Sequence, residues 1–274
     1  MSQPEECRLD FVDTNVVLDA VVREGPLRSA IEGFLRRFRY RELKIVPMVV
    51  GELNRVIVRV NNAVWSALEE RLLRSPRWIG MDWEDRLEYL EQIRGRLVDD
   101  VIARVSSRDA EIAQGYVKEF VDRVLEEYEG RISLIRSEDD LKLLTRSAVS
   151  LAHRLVVEKA LALFEYITYS KDIRSATASR QLQIFRALVT GSGEKCFSNN
   201  ISSKGDAAIV AQLLVLLEHP PPAVGQCAST RAELWTRDEM FIKCAERLKG
   251  LDLGITPRPK FEDLLVRHPL RDDV

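Results

Sequence analysis

Leu9-Asp10-Phe11-Val12-Asp13-Thr14-Asn15-Val16-Val17-Leu18-Asp19 reads as a short apolar strand that ends on a carboxylate, with two small polar residues and a second apolar run directly behind it. Open α/β sheets place ligands at strand ends, because loops leave the sheet there and side chains converge in a crevice. An Asp at that spot packs poorly and holds a cation well. One such residue decides little, but three further carboxylates occur in matching contexts. Glu52 lies one turn into a helix opened by Pro47-Met48. Asp206 begins a helical run, Gly205-Asp206-Ala207-Ala208-Ile209-Val210, after the polar, loop-like Ser198–Lys204. Asp238 follows the strand Leu234-Trp235-Thr236. Each sits at a strand end or in the first turn of a helix that follows one, and in a parallel sheet such places share an edge.

Outward from these points the chain divides by pattern. Short apolar strands are expected at Leu9–Val12, Leu43–Val46 and Ala232–Thr236. Each adjoins a helical pattern: Pro26–Arg39, Met48 onward, and Asp238–Leu248. No proline separates Pro76 from Pro220, and apolar residues there recur three and four apart. That spacing predicts helices over Val49–Arg74, Trp83–Val105, Asp109–Tyr128, Glu138–Tyr169 and Ala176–Val189. Ser137, three before Asp140, gives a capping-box-like start. The expected fold is α/β: a parallel sheet with helices on both faces, interrupted by an all-helical insertion. The expected parts are 1–60 and 195–274 for the sheet domain and 61–194 for the insertion.

Composition narrows the classes. Of 274 residues, 46% are hydrophobic, enough for a proper core, while 31% are charged and 7% aromatic, which suits long solvated helices. The net charge of −2 supplies no global attraction for nucleic acid, so any polyanion must be held by local basic patches and metal ions. Cys7, Cys196, Cys227 and Cys244 lack C-x-x-C spacing, which argues against a zinc site or a disulfide framework and fits a reducing cytoplasm. Residues Met1 to Cys7 lack a basic n-region and an apolar h-region, and no apolar run is long enough to span a membrane.

Acidic groups gathered at one sheet edge repel one another unless a cation neutralises them. Oxygen donors favour Mg²⁺ or Mn²⁺ over zinc, and such an ion can activate water and stabilise charge on a phosphodiester. Here the chain resembles the PIN-domain nucleases. The resemblance rests on Phe11-Val12-Asp13-Thr14-Asn15, on Pro47 with Gly51-Glu52-Leu53, on Gly205-Asp206-Ala207, and on Thr236-Arg237-Asp238-Glu239-Met240-Phe241. The tail Ile255-Thr256-Pro257, with Phe261 and Leu264-Leu265, is similar as well. It implies that Asp13, Glu52, Asp206 and Asp238 are catalytic metal ligands, with Thr14 and Asn15 shaping the first turn and Thr236 supporting the site. It implies a metal-dependent ribonuclease acting on single-stranded RNA, less often on DNA, and frequently a dimer. The long separation of Glu52 from Asp206 departs from the compact members of that family. The helical insertion would then restrict which RNA enters, or dock a protein partner or inhibitor.

Plainer accounts compete. Each carboxylate alone could cap a helix or answer its macrodipole. Lys204 and Arg237, beside proposed ligands, are candidate phosphate contacts or simple surface ion pairs. The run Arg36-Arg37-Phe38-Arg39-Tyr40-Arg41 interleaves cations with aromatics, yet Phe34, Leu35 and Phe38 fall at helical spacing and read as core. Arg174, Arg180 and Arg186 are candidate backbone contacts, and Trp65, Trp78 and Trp83 read as packing about Pro76. A phosphomonoesterase of haloacid-dehalogenase type would need a second Asp two residues after the first, where Asn15 stands. A non-catalytic scaffold that binds RNA or protein is the remaining rival.

Overall fold

The computed structural model describes residues 6–21, 28–38, 43–105, 107–167, 171–190, 197, 201–220, 229–250 and 252–271. Strand β1, Glu6–Val12, runs into helix α1, Thr14–Val21, followed by α2, Arg28–Arg37, and β2, Leu43–Ile45. Helix α3, Pro47–Leu68, continues through a π-helical turn, Glu69–Leu73, to α4, Pro76–Gly80. Next come α5, Trp83–Arg104, α6, Ser107–Glu129, and α7, Glu138–Leu163. The chain then forms β3, Glu165–Tyr166, α8, Lys171–Thr190, and α9, Ile201–Glu218. It finishes with β4, Ser229–Trp235, α10, Glu239–Leu248, and β5, Leu264–Arg267.

The five strands form one all-parallel sheet in the order β3-β2-β1-β4-β5. The protein is therefore α/β. Strand β1 is central, and Leu9 to Val12 are all buried, as expected for a strand covered on both faces. Sheet order reverses beside β1, with β2 and β3 added on one side and β4 and β5 on the other. Such a reversal leaves a crevice beyond the C-terminal strand ends, where open α/β sheets take their ligands. Val12 lies opposite Trp235 in the β1–β4 register, so Asp13 and Thr236 both emerge at that crevice.

By contacts the chain divides into two compact units. A sheet unit comprises Met1–Val17, Ser29–Glu52 and Leu163–Val274, and a helical unit comprises Leu18–Arg28 and Leu53–Ala162. This division differs from the expected insertion of 61–194. Helix α8 belongs with the sheet unit, where the Arg180 guanidinium grips the Glu218 carboxylate of α9 with both arms, at 2.8 and 2.7 Å. Helical periodicity reports that a helix exists but not which core it joins. The expected helix over Glu138–Tyr169 also stops early, and Glu165–Tyr166 instead extends the sheet beside β2. A two-residue strand is too short to show alternation. Helix α9 starts at Ile201 rather than Gly205, so part of the expected loop is helical. Its stretch from Gly205 to Leu217 is buried all round, the mark of a helix enclosed within a core.

The helical unit has its own polar fasteners. Arg86 is buried, and its guanidinium donates to the carbonyls of Trp78 at 3.0 Å and Ile135 at 2.8 Å while lying over the Trp78 ring. Its charge is thus dispersed into backbone dipoles. The hydroxyls of Tyr128 and Thr145 bond α6 to α7, and burial pushes the Tyr128 phenol upward. The predicted capping box is present: Asp140 N–H donates to Ser137 Oγ at 3.1 Å, and Ser137 N–H donates to the Asp140 carboxylate at 3.0 Å.

The cysteines correct an expectation. Cys7 and Cys244 are each disulfide-bonded, so spacing along the chain gave the wrong guide and the argument for a reducing compartment falls with it. Bridging depends on Cα separation in the fold, which sequence intervals do not report. Among the described residues no helix is long and apolar enough to cross a membrane. Pro26, residues 39–41 of the basic run, the side chain of Arg174 and the loop 221–228 lie outside the described residues.

Candidate active site

The carboxyl end of β1 is knitted to the end of β4 by side chains. Asp13 is 4% exposed, and its Oδ1 accepts the Thr14 N–H at 2.7 Å. Its Oδ2 accepts Asn15 Nδ2 at 2.9 Å and the Thr236 hydroxyl at 2.6 Å. Thr236, with no exposed surface, uses its hydroxyl completely. It donates to Asp13 and accepts from Asn15 Nδ2 at 3.0 Å and from the Asp238 N–H at 3.1 Å. Asn15 Oδ1 accepts the Arg237 N–H at 3.0 Å, and a backbone N–H can only donate, so the orientation of this amide is settled by its partners.

Thr14 carries the connection to the next element. Its hydroxyl donates to Glu52 Oε2 at 2.9 Å, which brings the second turn of α3 to the tip of β1. Glu52 in turn lies against Gly205 of α9: a Cβ built on Gly205 would stand 3.1 Å from Glu52 Oε1. The glycine leaves room for the carboxylate. Asp206 follows at once and is 8% exposed, an ionisable group at the head of the buried, mostly apolar stretch of α9. Gln212, two turns further along α9, accepts the Met48 N–H at 2.9 Å and so satisfies one open donor at the start of α3. The two helices that bring Glu52 and Asp206 are thereby pinned together.

Each expected site residue can now be located. Asp13, Thr14, Asn15, Glu52 and Thr236 form one hydrogen-bonded cluster, and Gly205-Asp206 abuts it. Glu52 and Asp206 are each the sixth residue of their helices, and neither helix has an acid in its first turn. The macrodipole account of both therefore fails, because that effect fades beyond the first turn. Asp238 is different: its Oδ1 accepts the N–H groups of Met240 and Phe241, the bonds of a helix cap. It reaches the cluster through its backbone N–H. Lys204 is exposed beside Gly205, and Arg237 is half-buried with its backbone fixed by Asn15. Arg180 is committed to Glu218, and Phe34 is core, packed with Phe38 and Trp235. Trp78 is buried as predicted, whereas Trp83 is 55% exposed.

Sequence reasoning missed two positions. Gly205 was legible only as part of a motif, and Gln212 only as an interruption in an apolar run. Among the described residues no three His, Cys, Asp or Glu side chains draw close enough to enclose a metal ion. The oxygen-only donors at the switch point nonetheless suit a hard divalent cation that keeps several waters and shares substrate oxygens, and such an ion needs only one or two carboxylates. Comparison with known family models, curated proteins and solved structures gives no match.

Proposed function

We propose that the chain is a metal-dependent endoribonuclease of PIN type that hydrolyses phosphodiester bonds in single-stranded RNA. The observation that carries the reading is the continuous chain of contacts from Asp13 through Thr14 to Glu52 and on to Gly205-Asp206, assembled at the topological switch point of a parallel sheet. In this reading Asp13 and Asp206 would hold Mg²⁺ or Mn²⁺ directly, with Glu52 reaching it through one of the waters it keeps. The cation would supply Lewis acidity, lowering the pKa of a water and offsetting charge that builds at phosphorus.

The remaining roles belong to the chain itself. Thr236 and Asn15 fix the Asp13 carboxylate in one orientation, and Thr14 does the same for Glu52, so no reorganisation is needed when substrate arrives. Asp238 is assigned here to positioning: it caps α10 and fixes the turn that carries Thr236 and Arg237. Lys204 and Arg237 are the proposed phosphate contacts, as point charge and fork respectively. Asn15 is engaged on both ends of its amide, which disfavours the phosphomonoesterase rival, since that chemistry needs a proton donor there.

Purified protein incubated with labelled single-stranded RNA should cleave it with Mn²⁺ and stop with EDTA. Asp206→Asn should abolish cleavage and leave the melting temperature of the metal-free protein unchanged or raised, because it removes a like charge from the cluster. A large drop in that temperature would mark Asp206 as a structural group, and wild-type protein inert in Mn²⁺ would leave the scaffold reading.

A further inference from the structure

We propose that the cleft between α10 and β5 receives the stretch of single-stranded RNA that flanks the scissile phosphate. The choice of ligand rests on the nuclease reading above. The cleft holds about 430 Å³. Its floor is apolar, with Ile242 and Ala245 from α10 facing Leu264 and Val266 from β5. Its rim carries more positive than negative charge: Lys243, Lys249, Arg267 and Arg271 stand against Glu239 and Glu246, with Arg267 also paired to Glu233 at 3.3 Å. That local excess of positive charge lies on a chain whose net charge is −2. Sequence-tolerant grooves track the phosphates of a single strand with positive charge. In this cleft, whose lining among the described residues has no Phe, Tyr or Trp side chain, the bases would rest on the aliphatic floor.

Three observations give the cleft this direction and chemistry. First, it neighbours the candidate site, since Thr236 N–H donates to the carbonyl of Arg267, which lines the cleft, at 2.9 Å, and Asp238 caps the helix that forms one wall. From β1 across β4 to β5 is two strand spacings, about 10 Å. Helix α10, with ten residues, then carries the wall about 15 Å further. Second, Lys243 of α10 and Lys249, the residue just past its end, are both exposed and make no ion pair among the described residues. Third, His268 lines the cleft beside Arg267, and its Nδ1 accepts the Leu270 N–H at 3.2 Å, which orients the imidazole at the rim. Arg271 is paired with Glu239 at 2.5 Å, but its side chain is 65% exposed, and a phosphate could take over that guanidinium.

The test uses the full chain carrying Lys243→Glu and Lys249→Glu, with the double Gln variant beside it, both checked for an unchanged melting temperature. Anisotropy of a fluorescent single-stranded RNA is measured in EDTA, so that cleavage is off. Affinity at low salt should fall about tenfold or more in the Glu variant, and the slope of log affinity on log salt should flatten by about 1.4 in the Gln variant, two contacts at about 0.7 each. Unchanged affinity and slope would overturn the groove, even if the wild type cleaves RNA and Asp206→Asn does not. Lysine-dependent binding by a wild type that never cleaves in Mn²⁺ would support the groove and remove the metal reading. Displacement of the RNA by polyglutamate at equal charge would overturn its assignment to nucleic acid.

Discussion

Gly205 separates the structural demands of the site from its chemical ones. Glycine inside a helix ordinarily costs about 0.5–1 kcal/mol relative to alanine, so its presence in α9 needs a reason. That reason is the Glu52 carboxylate, which occupies the space a Cβ would crowd at 3.1 Å. Gly205→Ala should therefore leave the melting temperature unchanged or slightly higher while cutting Mn²⁺-dependent cleavage about 100-fold, the scale expected for a small misplacement of a reacting group. A variant with wild-type cleavage would show that the Glu52–Gly205 contact has no part in the chemistry. Asp13 was legible from the sequence, because a carboxylate ending an apolar strand is unusual. Thr14 was read as shaping a turn, and its bond to Glu52 across 38 positions could not be read at all. Asp238 offered both a cap and a ligand in the sequence, and its carboxylate makes the cap bonds.

At the scale of elements, patterns with many repeats were the legible ones. Helix α5 was expected over Trp83–Val105 and spans Trp83–Arg104, and all three expected strands are present. Length explains the misses, since β3 has two residues and leaves no period to detect. The start of α9 was misplaced because Ser202, Ser203 and Lys204 are polar, yet the helix runs through them. The capping box at the start of α7 has a measurable consequence. Hydrogen bonds from the Ser137 hydroxyl and from the backbone N–H of Arg136 hold the Asp140 carboxyl below its ordinary value of 3.8. A lowered folded pKa stabilises the fold above the ordinary value, and that contribution disappears as pH falls through the folded value. Hydrogen exchange at the first turn of α7 should thus speed up relative to the rest of the helix as pH drops below about 4. Ser137→Ala should weaken this pH dependence; equal dependence in both proteins would remove the assigned role of the cap.

For the whole molecule, the order of the strands matters more than any one of them. A sheet ordered β3-β2-β1-β4-β5 sets its reversal beside β1, and that is where residues from positions 13, 52, 205 and 236 meet. Sequence analysis anticipated a shared edge from strand–helix alternation, but the reversal itself is a property of three-dimensional order. The same limit applies to the two units, whose division at Leu53 and Ala162 follows contacts rather than periodicity, and to the disulfides at Cys7 and Cys244. The central claim is that the acids at this reversal capture one divalent ion. Anomalous scattering from crystals soaked in Mn²⁺ tests it most directly. The account predicts a peak about 2.1 Å from carboxylate oxygens of at least Asp13 and Asp206, lost in Asp206→Asn. A saturating soak that puts manganese elsewhere, or nowhere, would contradict it.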